Sequence, residues 1–283
     1  MSHLKRIAKV SALLFAGLLG LAILHSLLVV FPQPLLRHRV SHANFTVYAP
    51  EPFPPEIHPV LDRSRALLAA STIDEPDLRR KVYLLNSYRL MRFLLVRNVH
   101  FGAILITGGI YIADGDATRD VARCKKLGPR DNRQRTLSGA IVHEATHDLI
   151  RRRVGFWEDR RLPTWVKEGY CDFISRENAI APSTGFAILD RRTSGRVRGY
   201  AYLEYRLVVD YLLTEKGMTI EQILDQPPDY YETLGEVLRW SRENRERIRS
   251  RWLDEGPPPA VARPAPLIPR ESSISRDGTR GPR

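Results

Sequence analysis

The chain has 283 residues and a formal charge of +12, of which residues 1–9, 239–253 and 256–283 carry +3, +4 and +3. The stretch between these basic ends is close to neutral, which argues against nucleic acid as a partner, because that function needs a basic patch on the folded surface. Two cysteines are too few for a disulfide-built scaffold, and about 220 residues between an apolar segment and a polar tail suffice for one domain with a sizeable core.

In chain order, residues 1–9 hold Lys5, Arg6 and Lys9, and residues 10–31 then run 22 positions without a formal charge. At 1.5 Å per residue such a helix crosses a hydrocarbon core of about 30 Å. The run ends in Val29-Val30-Phe31-Pro32, which offers no small-residue cleavage site, so it reads as a retained transmembrane anchor rather than a removed signal. Three cations precede the span and Arg37 and Arg39 follow it. That bias favours a cytoplasmic N-terminus, a single-pass place in the cell inner membrane, and a domain outside the cytoplasm, in the periplasm or beyond.

Residues 40–255 read as that domain. Strands are expected near Phe45–Tyr48, Lys81–Asn86 and Phe101–Ala113, and a helix near Val60–Ser71. Helices then follow over Thr136–Arg153, from Thr164 past Asp172, over Gly199–Leu213 and near Ile220–Leu224. Strands first and helices later indicate an α+β fold, with a small strand-containing N-terminal lobe and a helical C-terminal lobe. Residues 231–253 read as a basic helix with solvated faces attracted to anionic lipid headgroups. Residues 256–283, rich in Pro and Arg, read as a disordered tail. Cys124 and Cys171 either pair, tying the segment before residue 136 to the helix after Pro163, or remain two thiols.

The most informative stretch is His143-Glu144-Ala145-Thr146-His147. On a helix, positions i and i+4 share a face, so two imidazoles at this spacing can bind one Zn²⁺ while the acid between them serves as a general base toward water. A hydrolytic zinc site needs a third protein ligand. The seven residues after His147 contain no histidine, so a His-x-x-Gly-x-x-His continuation is excluded. Downstream, Pro163 and Thr164 open a helix carrying Glu168 and, four residues on, Asp172. Of these two carboxylates on one face, one can bind the metal and the other can accept the free N–H of a ligating imidazole. Glu158 and Asp159 are the fallback ligands.

His-Glu-x-x-His followed by Trp-x-x-Glu-Gly, with His147 and Glu168 21 residues apart, resembles the gluzincin metallopeptidases. It is closest in style to compact bacterial peptidase MA-like domains. The resemblance implies zinc held by His143, His147 and Glu168, Glu144 as the general base, and Asp172 supporting a ligating imidazole. It also implies an edge strand that holds the peptide by strand addition. The glycine-broken Phe101–Ala113 segment is placed there, with Gly108, Gly109 and Ile110 as substrate-binding positions. An ordinary buried strand pair with a Gly-Gly turn is the alternative. A tyrosine on the later helix would donate to the oxyanion, Tyr202 being preferred over Tyr200. The function expected is a membrane-anchored zinc-dependent metallohydrolase, a peptidase acting on a peptide or protein substrate. The competing expectation is a tethered zincin-fold scaffold without turnover.

Overall fold

The computed structural model describes residues 2–95, 101–104, 108–123, 134–177 and 200–253. Cys124, and with it any pairing to Cys171, lies outside these residues, as does the 256–283 tail.

Helix α1 (Ser2–Val30) contains the window Ile7–Val30, 24 residues long and apolar enough to cross a bilayer. Its large side chains, among them Leu13, Leu14, Phe15 and Leu18, are exposed to the surroundings rather than packed. A short 3₁₀ turn at Gln33–Leu35 leads into strands β1 (His38–His42) and β2 (Phe45–Ala49), which pair antiparallel. Helix α2 (Ile57–Leu68) returns the chain so that β3 (Arg80–Leu84) lies parallel to β2, the kind of connection parallel strands require. This helix starts earlier than its apolar spacing suggests, because Pro59 sits in the first turn, where its missing N–H costs nothing.

Helix α3 (Tyr88–Leu95) was not anticipated; it packs Met91 and Leu94 inward and leaves Arg89, Arg92 and Phe93 outside. Strands β4 (Phe101–Ile104) and β5 (Gly109–Ile112) are antiparallel, and β5 pairs parallel to β3. The five-stranded order is therefore β1-β2-β3-β5-β4, with β4 at one edge. A smaller three-stranded sheet, β6 (Gly115–Asp116), β7 (Val121–Arg123) and β8 (Gln134–Arg135), delivers the chain to the next helix.

Side-chain parity divides the large sheet into two faces. Val47, Val82 and Ile110 stand in register, and with Phe45, Leu84 and Ile112 they enter the main core under the later helices. Tyr48, Tyr83 and Tyr111 stand in register on the other face and form a second cluster with Met91 and Leu94 of α3 and Leu28 of α1.

The helical part begins with α4 (Leu137–Val154), capped by Thr136, whose side chain accepts from the Gly139 N–H, and ended at Gly155 with φ +88°. Then come α5 (Phe156–Arg161), α6 (Thr164–Ser175), α7 (Tyr200–Thr214), α8 (Ile220–Asp225), α9 (Tyr230–Glu243) and α10 (Arg245–Leu253). The fold is α+β, as expected.

The basic segment after residue 230 differs from its reading. It is two helices broken at Asn244, and α10 is not simply solvated: Ile248 and Trp252 are buried against α7. Asp210 accepts hydrogen bonds from Arg251 and from Trp252 Nε1 (3.0 Å), and the buried Arg206 guanidinium lies 4.1 Å from the centre of the Trp252 ring.

Candidate metal centre

Helix α4 runs between the sheet and α6, so its residues are buried almost throughout. His143 and His147 sit one turn apart on the side facing α6, ring centroids 5.0 Å apart and edge to face. Glu168, one turn into α6, spans them: Oε2 is 3.3 Å from His143 Nε2 and Oε1 is 3.7 Å from His147 Nε2. One turn on, the fully buried Asp172 places Oδ1 2.8 Å from His143 Nδ1.

The hydrogen-bond pattern fixes the tautomer of the His143 ring. Arg135 donates to Asp172 Oδ1 at 2.8 Å and also lies 3.2 Å from His143 Nδ1. The Asp172 carboxylate, held ionised beside Arg135, cannot donate, so the 2.8 Å contact needs Nδ1–H as the donor to Asp172, and the longer Arg135–His143 approach is then proximity rather than a second bond. In the neutral ring that tautomer leaves a lone pair on Nε2, aimed at a Glu168 oxygen. Lone pair against carboxylate is unfavourable unless a proton or a cation lies between them.

A metal ion fits that requirement. Two ligand bonds of about 2.0–2.1 Å at the tetrahedral angle put the ligand atoms about 3.3 Å apart, and the two His–Glu168 separations are 3.3 and 3.7 Å. Two imidazoles with a carboxylate or thiolate form a donor set suited to Zn²⁺ rather than Mg²⁺ or Ca²⁺. His143, His147 and Cys171 also form a group able to hold a metal ion, their ligand atoms within 4.8 Å of one another.

The same contacts couple the charges of the cluster. Burial would raise the Glu168 carboxyl, but hydrogen bonds from His143 and His147 hold it well below the usual range. Burial and the Arg135 charge push the His143 imidazole down; the hydrogen bonds to Asp172 and Glu168 outweigh them and carry it up to about 9. Asp172 stays below the usual carboxylate range despite burial, chiefly because of Arg135. Burial, then the charges of Glu168, Glu144 and Asp172, push the Cys171 thiol well up.

Glu144 is buried, and its charge acts on both Arg135 and Cys171, which puts its carboxylate by the same cluster. Tyr202 on α7 is half-buried, and its hydroxyl is raised to about 12 by burial and then by the charges of Glu168 and Asp172. Tyr200 is buried and interacts with Glu204 on its own helix. The fallback ligands are engaged away from the cluster, Glu158 with Arg161 and Asp159 with Lys167.

One expectation needs correction. Gly109 and Ile110 do not lie on a free sheet edge: Ile110 pairs with Val82 on one side and Ala103 on the other. The edge is β4, which packs near α4. Gly108 takes φ +63°, and a Cβ there would meet the Asp148 carboxylate at 3.0 Å. That carboxylate is held in turn by Arg151 and Arg152. The glycine makes room for this cluster, which is a packing role.

Sequence reasoning missed Arg135 and the proximity of Cys171. For Cys171 a signal existed, since it lies three residues after Glu168 on the same helix. Arg135 stands in no helical spacing with the motif. No protein-family model matches the chain, and no curated protein is significantly similar to it.

Proposed function

We propose that this protein is a membrane-anchored zinc-dependent metallohydrolase that cleaves peptide bonds. The observation that carries the reading is the approach of Nε2 of His143 and of His147 to the two oxygens of one carboxylate, Glu168, at tetrahedral-edge distances. Glu144, buried and near enough for its charge to act on Arg135 and Cys171, supports turnover over a bare structural site, because a purely structural metal has no use for an additional buried carboxylate.

His143, His147 and Glu168 would hold the ion, with Asp172 and Arg135 fixing the His143 tautomer. Zinc, when bound, acidifies water to a pKa of about 7 and polarises a carbonyl. Glu144 accepts the proton of the attacking water and returns it to the leaving amine. Tyr202, kept protonated at neutral pH by burial and by the Glu168 and Asp172 charges, donates to the developing oxyanion. Peptide would lie along the outer side of β4, which pairs with no strand other than β5 among the described residues and so suits strand addition. Helix α1 supports anchoring in the membrane with the domain on the side opposite Lys5, Arg6 and Lys9.

The test pairs two variants of the full chain. Glu144→Gln should keep one zinc by elemental analysis and lose cleavage of a broad peptide library by at least about a hundredfold. His143→Ala should lose both metal and cleavage. Full activity of Glu144→Gln would overturn the assignment of the base. Zinc-loaded wild type with no inhibitor-sensitive cleavage would overturn hydrolysis itself.

A further inference from the structure

We propose that α3 is a membrane-contact helix, lying at the boundary between headgroups and acyl chains of an anionic bilayer beside the end of α1. Its starting point is how firmly α1 is tied to the domain. His25 Nε2 donates to the Phe93 carbonyl at 2.7 Å, and the two rings meet edge to face with centroids 5.1 Å apart. Tyr111 Oη donates to the Val29 carbonyl at 2.8 Å, Gln33 Nε2 to Tyr83 Oη at 3.0 Å, and Leu28 packs into the tyrosine cluster. The apolar helix therefore meets the sheet through α3 along its last turn and a half, and its depth sets the depth of α3.

That depth follows from the helix rise. His25 precedes the end of the Ile7–Val30 window by five residues, about 7.5 Å at 1.5 Å per residue. The 24-residue window is about 36 Å long, about 6 Å more than a hydrocarbon core needs. Even with all of that surplus at this end, the level of His25 and Phe93 lies about 1.5 Å inside the hydrocarbon boundary, and with none of it about 7.5 Å. Interfacial amphipathic helices sit about 5–10 Å into the boundary region.

The chemistry of α3 suits that level. Met91 and Leu94 face the sheet, while Arg89, Arg92 and Phe93 share the outward face, and Phe93 is 52% exposed despite being a large apolar ring. An apolar ring flanked by two arginines is the pattern that places a ring among acyl chains and lets cations reach phosphates. Phe31 and Leu27, exposed at the same end of α1, continue the apolar surface. Exposure in water would leave this surface uncovered, whereas the bilayer that takes α1 covers it without any further partner.

The orientation has a consequence for the metal cluster. α3 packs on the Tyr48–Tyr83–Tyr111 face of the sheet and α4 on the opposite face. The sheet thus separates bilayer from metal ligands, and substrate reaches the cluster from the aqueous side.

The test uses the full chain in vesicles of phosphatidylcholine with a minor share of phosphatidylglycerol, with or without bromine on the acyl chains. In Phe93→Trp, the emission added over wild type should fall about two-fold in brominated bilayers, as for a ring at interfacial depth. Emission from the four native tryptophans, all on the helical side, should stay unchanged. Adding Arg89→Glu and Arg92→Glu should weaken that quenching. If the emission added by Phe93→Trp stays unquenched in protein that co-floats with vesicles, the proposal is overturned. Failure to co-float would overturn it too, since that refutes the anchor itself. Added emission that is unquenched at ordinary protein density and becomes quenched only when the protein is diluted in the bilayer would mean that a second copy covers the face, and would also overturn it. None of these outcomes depends on hydrolysis.

Discussion

Gly169, which follows Glu168 of the candidate metal cluster, reports how tightly the site helix is held. A Cβ added there would lie 2.5 Å from the Tyr205 carbonyl oxygen, 2.7 Å from Val209 Cγ2 and 2.8 Å from the Tyr205 carbonyl carbon. Two of the three atoms are backbone of α7 and cannot rotate away. Reaching ordinary contact near 3.4 Å requires α6 and α7 to separate by about 0.9 Å. Alanine in place of a helical glycine gains about 1 kcal/mol of propensity, whereas overpacking costs about 1–3 kcal/mol and more where backbone must move. We expect Gly169→Ala to be destabilised by about 1–2 kcal/mol net. With Glu168 as the proposed zinc ligand, its displacement should also weaken zinc about 10–100-fold. Gly235 is the control: it lies in α9 with nothing within 4 Å of a new Cβ. Gly235→Ala should be stabilised by up to about 1 kcal/mol with metal affinity unchanged. Urea unfolding in detergent and chelator competition measure the two quantities. Gly169→Ala as stable as Gly235→Ala, with wild-type zinc affinity, would refute the close α6–α7 contact and its hold on the ligand.

Other substitutions probe the buried charges. Arg135→Met leaves Asp172 fully buried without its cation and should lower zinc affinity about 10–100-fold in chelator competition; wild-type affinity would show that Arg135 does not position the cluster. Arg80 and Asp74 form an ion pair at 2.7 Å with side chains only 4% and 6% exposed. Asp74→Ala should cost about 3–5 kcal/mol, and the double change Asp74→Leu with Arg80→Met much less; equal losses in urea unfolding would contradict burial of that pair. Glu177 accepts from the Thr136 N–H and hydroxyl, and burial raises its carboxyl above the ordinary value of 4.5. A raised folded value favours the protonated form, so its contribution is complete below pH 4.5 and is lost as pH rises through the folded value. Glu177→Gln should therefore match wild type in acid and exceed it increasingly as the pH rises. A constant difference across pH would rule out this linkage.

What could be read from the sequence was set by short-range spacing. The His143–His147 pair, the Thr136 cap, and Glu168 with Asp172 each lie within a turn or two of helix, where 3.6-residue geometry alone aligns side chains. Contacts that the chain makes over long separations escaped. Arg135 reaches Asp172 only because a three-stranded sheet delivers it to the α4 N-terminus, and no local pattern marks such an arrangement. The basic run after residue 238 hid Ile248 and Trp252, because two apolar residues four apart amid arginines resemble a solvated helix until Asp210 on α7 pairs with Arg251. Sheet order was equally invisible: a glycine-rich strand looks the same at an edge or in the interior, and only the pairing of Ile110 with both Val82 and Ala103 decides it.

Strand parity decides more than core membership here. Val47, Val82 and Ile110 turn toward α4, and their neighbours Tyr48, Tyr83 and Tyr111 turn toward α1 and α3. A one-residue slip in β3 would exchange Val82 for Tyr83 and present a phenol to the metal-helix core. The tyrosine face holds the end of α1 and the turn after it through two hydroxyl contacts: Tyr111 donates to the Val29 carbonyl, and Tyr83 accepts from the Gln33 amide of the 3₁₀ turn. Register in this sheet therefore sets at once where the apolar helix docks and on which side of the domain the histidines lie. Losing both phenols, by Tyr83→Phe with Tyr111→Phe, should loosen α1 from the sheet while leaving the α4–α6 cluster intact. Limited proteolysis near Pro32, compared with zinc content, separates those two effects: faster cleavage with unchanged metal is the expected result, and loss of metal would show that the two faces do not act independently.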